Sequence, residues 1–331
     1  MRERPRPRRP ALCVAVLLPL LAAGAAEAVA QPGSSPAADA GTSTTLRRDD
    51  LRVALVAYRL ALAGAPLCPQ RYPLTGMLFH HLAEYEPADR SLMVARYGLD
   101  RGPGVLAVLA DSPAGRSGLV AGDVLLAVNG RPLPTGASIA AEPRRKKWRR
   151  LADETEAELE TALRVGPADL QVLRQGRVAT LRLGSLPGCL GRVRLARSTQ
   201  VNAFATGRSV VMTTAMLRFL RSDGELAVVL GHELAHNIFG HRQMRNEEGI
   251  LRGLGIKPSA VWKREEAADR FGLRLMSAAG YDLDSAIPFW RRYLGKYDWF
   301  PQIFRSHPSL GARERIAAEE IAAIRREKAG L

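Results

Sequence analysis

The sequence predicts an α+β chain: a mainly helical domain with a small sheet, interrupted by a β-rich module. Three observations predict it. The apolar run Glu225 to Asn237 has helical texture and contains His232-Glu233-Leu234-Ala235-His236. Between about residues 87 and 187 the texture changes to short apolar strands and Gly-containing turns. Helical segments return on both sides of that block, which is how an inserted module reads in a sequence.

The N-terminus has the pattern of an export signal. Arg2, Arg4, Arg6, Arg8 and Arg9 form a basic start, Ala11 to Ala23 is a short apolar stretch, and Ala28-Val29-Ala30 is a small-x-small cleavage site. An exported, periplasmic chain is expected, with the signal at 1–30. Residues 31–46 are rich in Pro, Gly, Ser, Thr and Ala and read as a flexible linker. Residues 47–86 begin the helical domain, with Leu51, Leu55, Tyr58 and Leu62 as the apolar stripe of its first helix.

In the β-rich block, Val105–Ala110 and Asp123–Val128 read as strands, the second closed by Asn129-Gly130. A further hairpin turns at Gln175-Gly176. Asp153 to Leu163 is an acidic helix, and about 139–165 looks like an insertion within the block. The helical domain resumes over 188–331. Past residue 30 no apolar run reaches the ~18 residues of a membrane span. The formal charge of +15 is concentrated in part at Arg144–Arg150. No nucleic-acid module surrounds that run, so it reads as a solvated loop that can touch anionic headgroups, and nucleic acid is not expected as a partner. Cys68 and Cys189 bracket the β-rich block. In an oxidising compartment they are expected to form one disulfide.

Residues four apart on a helix share a face, so His232 and His236 can clamp one Zn²⁺, with Glu233 placed to take a proton from water. Catalytic zinc sites take three protein ligands. Candidates for the third are His241, Glu265 and His307. Glu265 fits best, because Asp269 lies on the same helix face and can hold the N–H of a ligand histidine. Asn202 to Thr213 alternates as a strand lining the cleft.

Two resemblances sharpen this reading. Gly104 to Gly130, with Asp111-Ser-Pro-Ala-Gly and Ala121-Gly-Asp-Val-Leu-Leu, resembles a PDZ domain of bacterial proteases. The resemblance implies a peptide added beside the strand that starts at Val105, its carboxylate received by Gly102-Pro103-Gly104. The second covers roughly 188–320. Val201-Asn-Ala-Phe-Ala-Thr-Gly207, His232 to His236, Gly240-His241, Glu265-x-x-Ala268-Asp269-Arg270 and Ser306-His307-Pro308 resemble the HtpX and CAAX-prenyl-protease group of zinc peptidases, in its soluble exported branch. It implies a zincin-type metallopeptidase domain with one Zn²⁺ on His232, His236 and Glu265, Glu233 as general base, Asp269 behind the ligands and His307 at the oxyanion. An arginine follows the His-Pro pair in that group, and both Arg313 and Arg315 answer to it. Expected partners are protein or peptide substrates, misfolded or envelope proteins among them. The rival reading is a catalytically idle chaperone or peptide-binding scaffold.

Overall fold

A computed structural model describes residues 36–142, 144–244, 259–297 and 309–330. The export signal and Ser306-His307-Pro308 therefore lie outside the described residues. Residues 1–41 form one unit, described only as the start of a helix, and residues 42–331 form the other, which holds every site discussed below.

Helix α1 spans Pro36–Ala63. The flexible linker expected over 31–46 is therefore corrected from Pro36 onward. Proline in the first turn and Ala37, Ala38 and Ala40 favour a helix there. The apolar stripe is also rotated from expectation. Val53, Val56, Ala57, Leu60 and Ala61 are buried, whereas Leu51 is exposed. The small Ala57 and Ala61 let the helix lie close to its neighbours, which large residues on that face would prevent.

Strand β1 (Tyr72–Leu74) leads into the β-rich module, and β8 (Leu186–Gly188) leads out of it. The two pair antiparallel as a two-stranded ribbon. Just outside the ribbon Cys68 and Cys189 are bridged, with Cα atoms 5.6 Å apart. Inside lie β2 (Met77–His80), α2 (Pro87–Tyr97), β3 (Gly104–Val108), α3 (Pro113–Arg116), β4 (Val124–Val128) and β5 (Arg131–Pro132). They are followed by α4 (Gly136–Ala140), α5 (Arg145–Val165), β6 (Ala168–Arg174) and β7 (Arg177–Leu183). The sheet order is β2-β3-β4-β6-β7, with β5 beside β4. The tight turns fall where Asn129-Gly130 and Gln175-Gly176 place them, all four residues at positive φ, as two-residue hairpin loops require.

Three features of the module differ from expectation. It begins at β2, about ten residues ahead of residue 87, because Met77–His80 pairs with β3. The segment 139–165 is not a separate insertion, since Leu159 and Leu163 of α5 are buried with Val105, Leu125 and Leu170 in the module's core. The basic run is helical from Arg145 rather than a loop. Lysine and arginine are good helix formers, and Trp148 anchors the first turn by donating from Nε1 to the Glu142 carbonyl at 2.9 Å.

After β8 come β9 (Val193–Ala196), β10 (Ala203–Ala205) and β11 (Val210–Thr213), in the order β10-β11-β9 with β9 and β11 parallel. The single strand expected over Asn202–Thr213 is a hairpin, because Gly207 turns the chain at φ 91°. Helices α6 (Thr214–Phe219), α7 (Asp223–Ile238), α8 (Ser259–Ala278), α9 (Ala286–Tyr297) and α10 (Leu310–Ala329) complete the fold. Their core is built on Leu226, Leu230, Leu234, Leu275, Met276 and Phe289. Ser222 caps α7 by accepting from the Glu225 amide at 3.2 Å. Among the described residues, no helix is long and apolar enough to cross a membrane.

Candidate metal centre

Two helices packed against each other carry the site. Leu226, Leu230 and Leu234 anchor α7 in the core, so the adjoining face of that helix presents His232 and His236 one turn apart. Helix α8 runs against it and presents Glu265 and Asp269, also one turn apart. The helices cross at two glycines. A Cβ on Gly231 would stand 2.9 Å from the Gly272 carbonyl oxygen, and one on Gly272 would stand 2.9 Å from the His232 amide nitrogen. Backbone therefore touches backbone directly beside the first histidine.

Ligand atoms of His232, His236 and Glu265 converge. His232 Nε2 lies 3.1 Å from His236 Nε2 and 3.5 Å from Glu265 Oε2, and His236 Nε2 lies 3.4 Å from Glu265 Oε1. Bonds of ~2.0–2.1 Å to a tetrahedral zinc give ligand–ligand edges of about 3.3–3.4 Å, so the donor set fits the ion in type and in spacing. Glu233 and His232 line a small cavity of about 80 Å³ together with Asn202, Ala203, Trp290 and Arg313. A reacting group there would meet both the base and the ligand cluster.

The surrounding groups fix this geometry. Asp269 Oδ1 lies 2.8 Å from His232 Nδ1. A carboxylate accepts only, so Nδ1 carries the proton and Nε2 is left to face the cluster. Burial opposes charging of His232, but the Asp269 and Glu265 carboxylates outweigh it and hold its pKa up to about 10. The centre is thus short of positive charge, which a bound cation would supply. Arg313 donates from Nη1 to Asp269 at 2.8 Å and from Nη2 to Glu265 at 3.1 Å. Its guanidinium stacks 3.9 Å over the Trp290 ring.

That geometry separates the two arginines left open by the sequence. Arg313 is buried at the site, whereas the Arg315 side chain is 68% exposed and faces Glu319. His241 stands outside the triad. Its Nδ1 lies 2.7 Å from His236 Nδ1, behind that ring, and burial lowers its pKa to about 4, with the Arg264 charge acting the same way. Sequence reading missed the Gly231–Gly272 crossing. The available signal was two mid-helix glycines, which cost helix stability and need a packing reason.

The peptide-receiving loop expected at Gly102, Pro103, Gly104 and Val105 is not an open site. Strand β3 is paired with β2 on one side and β4 on the other. The Pro103 carbonyl accepts from the Leu125 amide at 2.7 Å, and a Cβ on Gly102 would meet the Leu125 carbonyl oxygen at 2.2 Å. On this side of the sheet the edge strand among the described residues is β2, and β7 is the edge on the other side. Strand β2 lines a cavity of about 320 Å³ whose other module wall is α5, with Leu159 and Leu163.

Two family profiles agree with the two resemblances. Residues 182–256 and 259–321 match the profile of Peptidase family M48, and residues 104–141 match that of a PDZ domain. A relative from Arabidopsis thaliana, "Mitochondrial metalloendopeptidase OMA1", is 30% identical over 161 residues, covering 40% of this chain and 32% of the relative. The chain therefore spans about a third of the length of that curated relative. A solved HtrA3 PDZ domain, bound to a phage-derived ligand, is 21% identical with a TM-score of 0.25, covering 36% of this chain and 89% of that one.

Proposed function

We propose that this chain, which carries an M48 peptidase domain interrupted by a PDZ module, is an exported zinc endopeptidase that cuts misfolded or envelope proteins. The observation that carries this reading is the convergence of His232, His236 and Glu265 to within 3.1–3.5 Å beside Glu233. Zinc held by those three residues supplies Lewis-acid chemistry toward the scissile carbonyl and the attacking water.

The chain's own residues do the rest. Glu233 takes a proton from the attacking water as its oxygen bonds to the carbonyl carbon. It then returns that proton to the amide nitrogen as the C–N bond breaks. Asp269 keeps His232 in the tautomer that binds metal. Arg313 braces both carboxylates of α8, so neither swings away when charge builds up at the cleft. His307, in its family role, would steady the oxyanion. Strand β10 is an outer strand of its sheet, and its first residue Ala203 lines the cavity at Glu233 together with the preceding Asn202. An extended substrate can add there as a further strand.

In the PDZ module an extended chain end pairs with the free edge of β2 rather than with β3. Its carboxylate meets the turn Thr75-Gly76, and apolar side chains meet Leu159 and Leu163 of α5. Export to the periplasm is supported by the N-terminal signal pattern and by the Cys68–Cys189 bridge.

The test is Glu233→Gln. The variant is expected to keep its zinc, by metal analysis of the purified protein, and to lose nearly all cleavage of casein, because Glu233 is not a ligand. Full activity in that variant would refute the assignment.

A further inference from the structure

The groove beside β2 is closed by the peptidase domain itself. Its cavity of about 320 Å³ is lined by Met77–His80 and α5, and across from them by Val53 and Tyr58 of α1 and by residues 190–195. That volume sits at the small end of ligand sites.

An ion-pair clasp holds the two walls together. Arg192 Nη1 donates to Glu156 at 2.9 Å and its Nη2 to Glu160 at 2.5 Å. Arg194 donates to the other oxygen of Glu156 at 2.8 Å and also pairs with Glu84. The glutamates belong to the module and the arginines to the peptidase. Side chains of Arg192, Arg194, Glu156 and Glu160 are each no more than 23% exposed. Partial burial strengthens the attraction within these pairs but also penalises their charges, and burial pushes the Glu156 pKa up to about 7 despite the Arg192 charge beside it.

The arginine side of the clasp leads to the cleft. Arg194 lies in β9, which pairs with β11 from Val193 to Ala196. Strand β11 pairs in turn with β10, beside the cavity that Asn202 and Ala203 share with His232 and Glu233. One continuous sheet thus runs from the clasp to the catalytic cleft.

We propose that this clasp couples the PDZ groove to the active site: opening it releases β9 and shifts β10 at the cleft. An extended chain end seated between β2 and α5 has to displace Arg192 and Arg194 from Glu156 and Glu160. On this proposal the clasped form, which excludes a tail, is the less active one. The last step rests on the peptide-binding role given to the groove above. The coupling itself does not, since the clasp can be opened from either wall without a peptide.

The experiment compares the wild type with Arg192→Gln/Arg194→Gln, with Glu156→Gln/Glu160→Gln and with all four changes combined. The substrate is a short, internally quenched, amidated peptide that offers no chain-end carboxylate. Thermal unfolding and zinc content identify the folded, metal-loaded fractions. Both pairs are expected to raise turnover by about fivefold or more, the scale of a typical coupling, and the quadruple variant to add nothing further. Unchanged turnover in folded variants overturns the coupling, as does a rise confined to the arginine pair, which would mark a local effect on β9. A hexapeptide ending in a free Val carboxylate is expected to raise wild-type turnover and leave the arginine variant unchanged. Binding of that peptide to Glu233→Gln protein, without any change in wild-type turnover, also overturns it. Failure of such peptides to bind counts against the groove reading alone, and the peptide-free variants still decide the clasp.

Discussion

Gly272→Ala tests what sets the spacing of the metal centre. The new Cβ would stand 2.9 Å from the Gly231 carbonyl carbon and from the His232 amide nitrogen, where ordinary contact begins at 3.4 Å. Helices α7 and α8 must therefore separate by about 0.5 Å or more. Neither contact is the far end of a flexible side chain, so nothing can swing aside. Ligand positions in a zinc site tolerate only about ±0.2 Å. Glu265 rides on one helix and both histidines on the other, so the shift falls directly on the triad.

Two effects on stability oppose each other. Overpacking costs about 1–3 kcal/mol, whereas replacing a mid-helix glycine by alanine gains about 1 kcal/mol. The net change in unfolding free energy is small, and a melting curve alone would decide little. Zinc affinity is the discriminating readout. A competition titration with a chromogenic chelator is expected to show a loss of about 10–100-fold, the scale seen when a group supporting a metal ligand is removed. Turnover should fall on the order of 100-fold, as for a misplacement of ångström scale. Gly295→Ala is the control. That glycine lies in α9 with open space around its Cβ position, so the change is expected to be neutral or mildly stabilising with full zinc affinity. Wild-type zinc affinity in Gly272→Ala would refute the view that the glycine crossing fixes the site.

Further expectations follow from neighbouring features. Glu265→Ala should strip zinc from the purified protein, whereas His241→Ala should keep it; zinc loss only in the His241 variant would reverse the assignment. Replacing Cys68 and Cys189 by Ala opens a loop with a sequence separation of 121. It should lower the unfolding free energy by at most about 4–5 kcal/mol in denaturant titrations, and unchanged stability would show that the β1–β8 ribbon suffices. His81 predicts a pH effect. Its Nδ1 accepts from the Ala83 amide at 3.0 Å and its Nε2–H donates to the Pro134 carbonyl at 3.2 Å. Burial holds its pKa down at about 4, against an ordinary 6.5. The unfolded chain then binds the proton more readily, so stability is lost as pH falls from 6.5 toward 4, by about 2 kcal/mol between pH 7 and pH 5. His81→Asn, which keeps a capping oxygen, should remove most of that slope, and an unaltered slope would assign it elsewhere.

What the sequence made legible was local. The two-residue turns need positive φ, and Asn129-Gly130 and Gln175-Gly176 carry the residues that supply it. His232, His236, Glu265 and Asp269 each sit four apart on helices, so their shared faces followed from periodicity alone. What it concealed depends on pairing between distant segments. Met77-Leu-Phe-His80 is a short apolar run without alternation, and α2 separates it from the strand it pairs with. Nothing in its own residues tells an edge strand from the end of a loop, and the resemblance alone points to a peptide beside β3. Arg313 and Arg315 lie two apart on α10 and point to nearly opposite sides, so choosing between them required knowing which side α8 covers.

The bridge between Cys68 and Cys189 shows why one long-range contact was legible nonetheless. An inserted module must leave its host close to where it entered, so residues just outside the two junctions are neighbours whatever the module looks like. That constraint fixes the junction at β1 and β8 but says nothing about which module face turns toward the host. The face is set by Arg192 and Arg194 against Glu156 and Glu160, charges that in the sequence are indistinguishable from the other surface pairs of a basic chain. Only their placement, across the closed side of the β2 groove, gives them a part in coupling two domains.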